Sequence, residues 1–331
     1  TTIDNPELYF QTKLYTGNGS TQSLTLDGDT DMQPDLVWVK NRSEDYEQTL
    51  FDSVRGVQKF IRSSTNGSEQ TNANTLTAFG TDGFSVGNDG SVNDNTDGFV
   101  AWCWKESNSD AGFDIVSYTG NGSTQNISHS LSAKPDFMLL KLTSGTGGWL
   151  VYHSSLGATK AIYLNETGAV GTNSSGFNDT EPTSSVFSLG SGAYANTSSG
   201  TQICYAWTSK QGFSKFGTYT GNGNVDGTFV YTGFRPAFLM IKQYDAAGTD
   251  WTILDSKRPA ENPADQWIAP NTNAAEVAND TTALSADLLS NGFKLRGSAS
   301  DGTNGSSDDF IYAAFAEAPF VNSNGVPCNA R

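Results

Sequence analysis

Tyr15-Thr16-Gly17-Asn18-Gly19 recurs 103 residues on as Tyr118-Thr119-Gly120-Asn121-Gly122, and a further 101 on as Tyr219-Thr220-Gly221-Asn222-Gly223. Self-similarity at one long period marks a chain built by repeating a structural unit. A second landmark keeps the spacing. Pro34-Asp35-Leu36-Val37-Trp38-Val39-Lys40, Pro135-Asp136-Phe137-Met138-Leu139-Leu140-Lys141 and Pro236-Ala237-Phe238-Leu239-Met240-Ile241-Lys242 each join a proline, an apolar run and a lysine. Phe51-Asp52-Ser53 lines up with Tyr152-His153-Ser154 and Leu254-Asp255-Ser256, and Gly83-Phe84-Ser85-Val86 with Val186-Phe187-Ser188-Leu189 and Gly292-Phe293-Lys294-Leu295. The last landmark matches Phe99-Val100-Ala101-Trp102 to Cys204-Tyr205-Ala206-Trp207 and to Tyr312-Ala313-Ala314-Phe315.

These strings predict an all-β chain of three tandem homologous β-sandwich units with short linkers. The units span 9–110, 111–211 and 212–321, between an N-terminal arm, 1–8, and a C-terminal tail, 322–331. Asn-Gly tolerates positive φ, so Thr-Gly-Asn-Gly reads as a tight hairpin turn in each copy. In the post-proline runs both alternating sets are apolar, Leu36 and Trp38 on one face and Val37 and Val39 on the other, which predicts a strand covered on both sides. Asn88 to Gly98 reads as a long loop. Ala274 to Asn291 carries a rough helical spacing of Ala275, Leu284, Leu288 and Leu289, interrupted by Asn279-Asp280-Thr281-Thr282. The joints at 106–111 and 209–212 are too short for free tethers, so neighbouring units must touch, in a row or in a closed pseudo-threefold cluster. The arm and tail have few apolar residues, and at least one of them is expected to dock on a neighbouring subunit.

Of 331 residues, 19 are Lys or Arg and 35 Asp or Glu, a net charge of −16 that repels nucleic-acid phosphates and anionic lipid. No nucleic-acid partner is expected. No apolar run approaches the roughly 20 residues of a membrane span, and Thr1-Thr2-Ile3-Asp4-Asn5-Pro6 lacks the parts of a signal peptide, so no membrane insertion is expected. Cys103, Cys204 and Cys328 make neither a disulfide framework nor a zinc pair, and with only His129 and His153 the chain is short of imidazole bases.

Asp52 and Asp255 occupy matching places, but His153 stands there in the second copy and no partner carboxylate recurs, so an Asx-turn or a bond to Arg55 is the expected role. Asp27-Gly28-Asp29-Thr30-Asp31 has the alternating carboxylates of a calcium loop, making Asp27, Asp29 and Asp31 the calcium candidates. The other two copies carry no carboxylates there, no other cofactor is expected, and a solvated turn is the competing reading. Trp38, Trp102 and Trp207 read as core. Trp149 and Trp251 match each other but face Gln48 in the first copy, and Trp104 faces Ser209, which makes Trp104, Trp149 and Trp251 the candidates for ligand or interface contact.

Pro34 to Ser43, Leu50-Phe51-Asp52-Ser53-Val54-Arg55-Gly56, Asp82 to Gly87, Val100-Ala101-Trp102-Cys103-Trp104-Lys105 and the ending Phe310 to Pro327 resemble a repeat module of structural proteins of tailed, particularly marine, bacteriophages. The resemblance implies lectin-like β-sandwich modules in a non-enzymatic virion protein, decorating the capsid or forming part of a tail appendage or fibre. Expected partners are other virion proteins, further copies of the chain as a homo-oligomer in the particle, and host-surface glycans if the protein also serves attachment. It would be made in the host bacterial cytoplasm and carried on the virion. A polysaccharide depolymerase ranks third. The second and third copies depart from the motif at His153-Ser154-Ser155-Leu156-Gly157 and Asp255-Ser256-Lys257-Arg258-Pro259.

Overall fold

A computed structural model describes residues 1, 3–259, 261–278, 280, 284–297 and 302–328. The chain is all-β with several antiparallel sheets, joined by loops that among the described residues hold only single helical turns. The first large sheet orders its strands Phe10–Thr16, Gly98–Trp104, Leu36–Asn41, Thr49–Asp52, Lys59–Arg62, Gln70–Thr71. The second runs Phe113–Thr119, Thr201–Trp207, Phe137–Leu142, Leu150–His153, Lys160–Tyr163, Gly171–Thr172, and the third Ser214–Thr220, Asp309–Pro319, Phe234–Gln243, Thr252–Asp255. Each is covered by a small sheet, the first by Gln22–Leu24, Gly83–Val86 and Leu76–Gly80.

One register row fixes how the large sheets correspond. It reads Phe10–Trp104–Leu36–Asp52 in the first sheet, Phe113–Trp207–Phe137–His153 in the second and Ser214–Phe315–Phe238–Asp255 in the third. Trp104 therefore stands where Trp207 and Phe315 stand, two residues from the match that the sequence strings suggest. A two-residue slip leaves every side chain on its own face of a strand, so alternation could not detect it.

The two-faced reading of the central strands holds. Val37 and Val39 pack with Phe51, Phe84 and Phe99 between the first large sheet and its small cover, while Leu36 and Trp38 join a second core with Phe137, Leu139, Phe238 and Met240 from the other large sheets. Here the large sheets turn their backs on one another. Trp104, Trp207 and Phe315 meet pairwise, with ring centroids 5.5 to 6.2 Å apart.

The contact closes on itself. Glu69 N–H donates to the Thr143 carbonyl, Val170 N–H to Tyr244 and Glu276 N–H to Arg42, at 2.8, 2.8 and 3.0 Å. First sheet meets second, second meets third, and third meets first.

Two expectations are corrected. Thr-Gly-Asn-Gly is no hairpin, because Phe10–Thr16 pairs with Gly98–Trp104 whereas Gln22–Leu24 pairs with Gly83–Val86. The motif is a corner that carries the chain from the large sheet to the small one. Gly17 N–H donates to the Asp97 carbonyl, and a Cβ on Gly17 would fall 1.9 Å from the Asp94 carbonyl oxygen, so the close approach demands glycine. The helical spacing near 274–291 also misleads. Ala286–Leu289 is a strand paired with Gly292–Leu295, with Ala286 and Leu288 buried in alternation, whereas residues 279 and 281–283 of that stretch lie outside the described residues. Arm and tail also contact their own chain. Ile3 is buried in the shared core, Thr1 Oγ1 donates to the Gln211 carbonyl, and Ser323 N–H donates to Asp4 at 2.7 Å. Residues 2 and 329–331 lie outside the described residues.

Candidate functional site

The three tryptophans proposed as surface contacts are interior. Trp104, Trp149 and Trp251 are 2%, 0% and 1% exposed. Trp104 fills the centre of the shared core, and the other two cross the joints between sheets. Trp149 Nε1–H donates to the Arg62 carbonyl at 2.8 Å and Trp251 Nε1–H to the Tyr163 carbonyl at 3.1 Å. At the third joint Gln48, itself held against Trp38 Nε1–H, donates from Nε2 to the Ala269 carbonyl at 2.7 Å. The exchange of tryptophan for glutamine preserves the donor. As external ligand contacts these tryptophans are ruled out by burial, and as interface anchors they act within the chain.

The buried charges sit at the same joints. Asp52 accepts from Arg55 and from Tyr205 Oη of the second sheet, at 2.5 and 2.7 Å. Asp255 accepts from Arg258 Nε at 2.7 Å and from Trp102 Nε1 of the first sheet at 2.9 Å. Burial alone would raise the Asp255 carboxyl, but the guanidinium, the Arg258 backbone N–H and the indole together hold it below the ordinary value. The expected local bond of Asp52 to Arg55 is present, and both carboxylates lie wholly out of solvent. His153 makes the third contact without charge. Burial lowers its imidazole to about 4, so the ring is neutral at pH 7; Nδ1 accepts from Ser155 N–H and Nε2–H donates to the Tyr312 carbonyl at 3.2 Å.

Lys40, Lys141 and Lys242 complete the buried polar set. Lys40 donates to the Tyr46 and Asn273 carbonyls at 2.7 and 2.9 Å, Lys141 to Gly147 and Asn66 at 2.6 and 3.2 Å, and Lys242 to Thr249 at 2.8 Å. Burial lowers each ammonium to about 8, with Asp45 and Glu47 opposing it at Lys40 and Asp250 and Asp245 at Lys242. The folded chain thus releases these protons earlier than the unfolded chain, whose lysines titrate near 10.5. The penalty is present below pH 8 and is relieved as pH rises through 8, so stability increases with pH up to about 9. We expect a gain of at most about 1 kcal/mol per lysine between pH 7.5 and 9, discounted for solvent screening. Above 9 the buried Cys103 and Cys204 thiols, raised by desolvation, work against the trend as the unfolded thiols ionise. Urea midpoints at fixed ionic strength measure it, and Lys141→Met should remove about a third of the rise. A midpoint falling steadily from pH 7.5 to 9 would contradict the assignment.

Asp27, Asp29 and Asp31 lie on an exposed turn. The Asp27 carboxylate pairs with Lys13 Nζ at 2.5 Å, while the Gln11 side-chain amide accepts from Gly28 N–H at 2.9 Å and donates to the Thr30 carbonyl at 3.3 Å. Gln11 closes the loop from inside. Among the described residues no three His, Cys, Asp or Glu side chains gather as ligands for a metal ion.

Sequence reasoning missed three buried asparagines. Asn93, Asn196 and Asn304 each accept from the N–H of the Asn in the corner motif, Asn18, Asn121 and Asn222, at 2.9 to 3.1 Å. Each amide also donates to the carbonyl of Gly87, Gly190 or Gly297. Each is followed by a different residue, Asp94, Thr197 or Gly305, so no motif marks them in the sequence.

A family model described as a domain of unknown function (DUF7483) matches residues 5–319, and so covers all three large sheets in one match. The chain belongs to the DUF7483 family. No curated protein matches the sequence. In this DUF7483 chain, Asp52, Asp255, Lys40, Lys141 and the matched tryptophans Trp149 and Trp251 meet at the joints between sheets.

Proposed function

We propose that this DUF7483 chain is a non-enzymatic structural protein exposed on a tailed-bacteriophage particle, as capsid decoration or part of a tail appendage. It is built of three homologous β-sandwich units, 9–110, 111–211 and 212–321, closed in a pseudo-threefold ring. The observation that carries the reading is where the chemistry-bearing side chains sit. Asp52, His153 and Asp255 each bridge to the next sheet at one register row, so the groups that a catalytic reading would need serve to lock the ring. An acidic surface keeps a many-copy exposed protein soluble.

On this reading the protein is made in the host cytoplasm and its partners are other virion proteins and further copies of itself. Mass spectrometry and immunogold labelling of purified particles test it. The protein is expected among the structural proteins at a defined place on the particle, and its absence from particles would overturn the proposal.

A further inference from the structure

One surface of the second sheet carries a pair of tyrosines. Tyr163 and Tyr194 meet edge to face, with centroids 5.9 Å apart and planes at 89°. Tyr194 remains 45% exposed although it is a large ring. The corresponding places elsewhere hold Arg62 and Ala269 for Tyr163, and Ser91 for Tyr194, so the pair is not dictated by the fold.

The rings need room, and glycines supply it. A Cβ on Gly147 would lie 3.2 Å from the Tyr194 ring, and one on Gly148 would lie 3.3 Å from the Tyr163 ring. The result is a groove of about 260 Å³ bounded by Leu150, Tyr163, Asn173, Ser175 and Tyr194. A second hollow of about 190 Å³, lined by Glu166 and Thr172, shares Tyr163 and Asn173 with it.

Polar groups are fixed along this groove. Asn173 Oδ1 accepts from Gly176 N–H at 2.9 Å and from Ser175 Oγ at 3.0 Å, while its Nδ2 donates to Tyr163 Oη at 3.3 Å. Tyr194 and Glu166 are exposed, and Tyr163 is half-buried between the two hollows. Ligand sites are concave, largely apolar and edged by a few oriented polar groups. Two tyrosines set edge to face, one of them shared by both hollows, offer apolar faces and hydroxyl edges to a chain of rings.

We propose that this groove binds a neutral oligosaccharide, at least two sugar residues long, that straddles Tyr163 and stacks on Tyr194. Neutrality follows from charge: Glu166 lines the second hollow of a chain whose net charge is −16, so acidic sugars are disfavoured. The site does not depend on the virion reading, because a sugar groove can be tested on the isolated chain and the particle location cannot.

The experiment titrates the full chain with chitotetraose, cellotetraose and mannotetraose, and with tetragalacturonate as the acidic control, by calorimetry and saturation-transfer NMR. We expect at least one neutral oligomer to bind with a Kd on the order of 0.1–1 mM, as suits a shallow open site. Tyr194→Ala should weaken binding roughly tenfold or more, as loss of a central aromatic anchor does. Tyr194→Phe should retain it within about threefold, because the stacking face survives. Tyr231→Ala, which removes an exposed aromatic from a different sheet, should change nothing, and unchanged melting of each variant establishes that it is folded. Absence of binding by every neutral oligomer at about 10 mM overturns the proposal. So does a folded Tyr194→Ala chain that binds like the parent, or tetragalacturonate binding as tightly as the neutral sugars.

Discussion

Asp255→Ala is expected to lower the unfolding free energy by about 3 to 5 kcal/mol, the range for breaking a buried ion pair from one side. Asp255 and Arg258 side chains are both fully buried. Removal of the carboxylate leaves the guanidinium with Glu276 at 3.1 Å and the Ile253 carbonyl at 2.9 Å, and leaves Trp102 Nε1–H without its acceptor. The loss falls on a joint as well as on a turn, because Trp102 belongs to the first sheet and Asp255 to the third. Asp27→Ala provides the contrast. Its ion pair with Lys13 is half exposed, and its loss should cost under about 1 kcal/mol. Replacement of both buried partners, Asp255→Leu with Arg258→Leu, should recover much of the loss, since an apolar pair carries no desolvation penalty. Urea denaturation of the three variants decides, and an Asp255→Ala effect below about 1 kcal/mol would show that the ion pair does not hold the joint.

Much of the architecture was legible because burial leaves a direct trace in residue type. The run Leu36-Val37-Trp38-Val39 is apolar at every position since one face meets a small cover sheet and the other meets neighbouring large sheets. Short joints at 106–111 and 209–212 required contact, and the contact is there. What stayed hidden depends on partners distant in sequence. The Gly17-Asn18-Gly19 string has the composition of a hairpin turn, but its carbonyl and N–H partners lie at Asn93 and Asp97, about eighty residues away, so composition could not separate a corner from a hairpin. Trp149 looked like a surface ring because Gln48 replaces it in the first sheet. Only the structure shows that both side chains perform one task, donation to a carbonyl of the adjacent sheet. Tyr163 and Tyr194 carry no motif at all, being thirty-one residues apart and brought together by the path of the loop through Asn173 and Gly176.

The central aromatic cluster supports a second large effect, in which size and polarity separate. Trp104 is packed against Phe10, Trp207, Phe238 and Phe315, with centroids between 4.9 and 6.1 Å. Trp104→Ala would open a cavity where three sheets meet and should cost about 3 to 5 kcal/mol, as aromatic truncations in cores do. Its indole Nε1, however, has no hydrogen-bond partner, and neither does that of Trp207. A buried donor without a partner opposes folding, so Trp104→Phe should cost less than about 1.5 kcal/mol, the lost volume being partly offset by removal of the orphaned N–H. Phe315 already occupies this place in the third sheet. Because the cluster belongs to all three sheets, no one sheet can open without exposing the other two, and calorimetry should record one cooperative transition for the parent chain and for both variants. Three separated transitions, or a Trp104→Phe loss as large as that of Trp104→Ala, would show that the sheets are stabilised individually and that this core does not bind them.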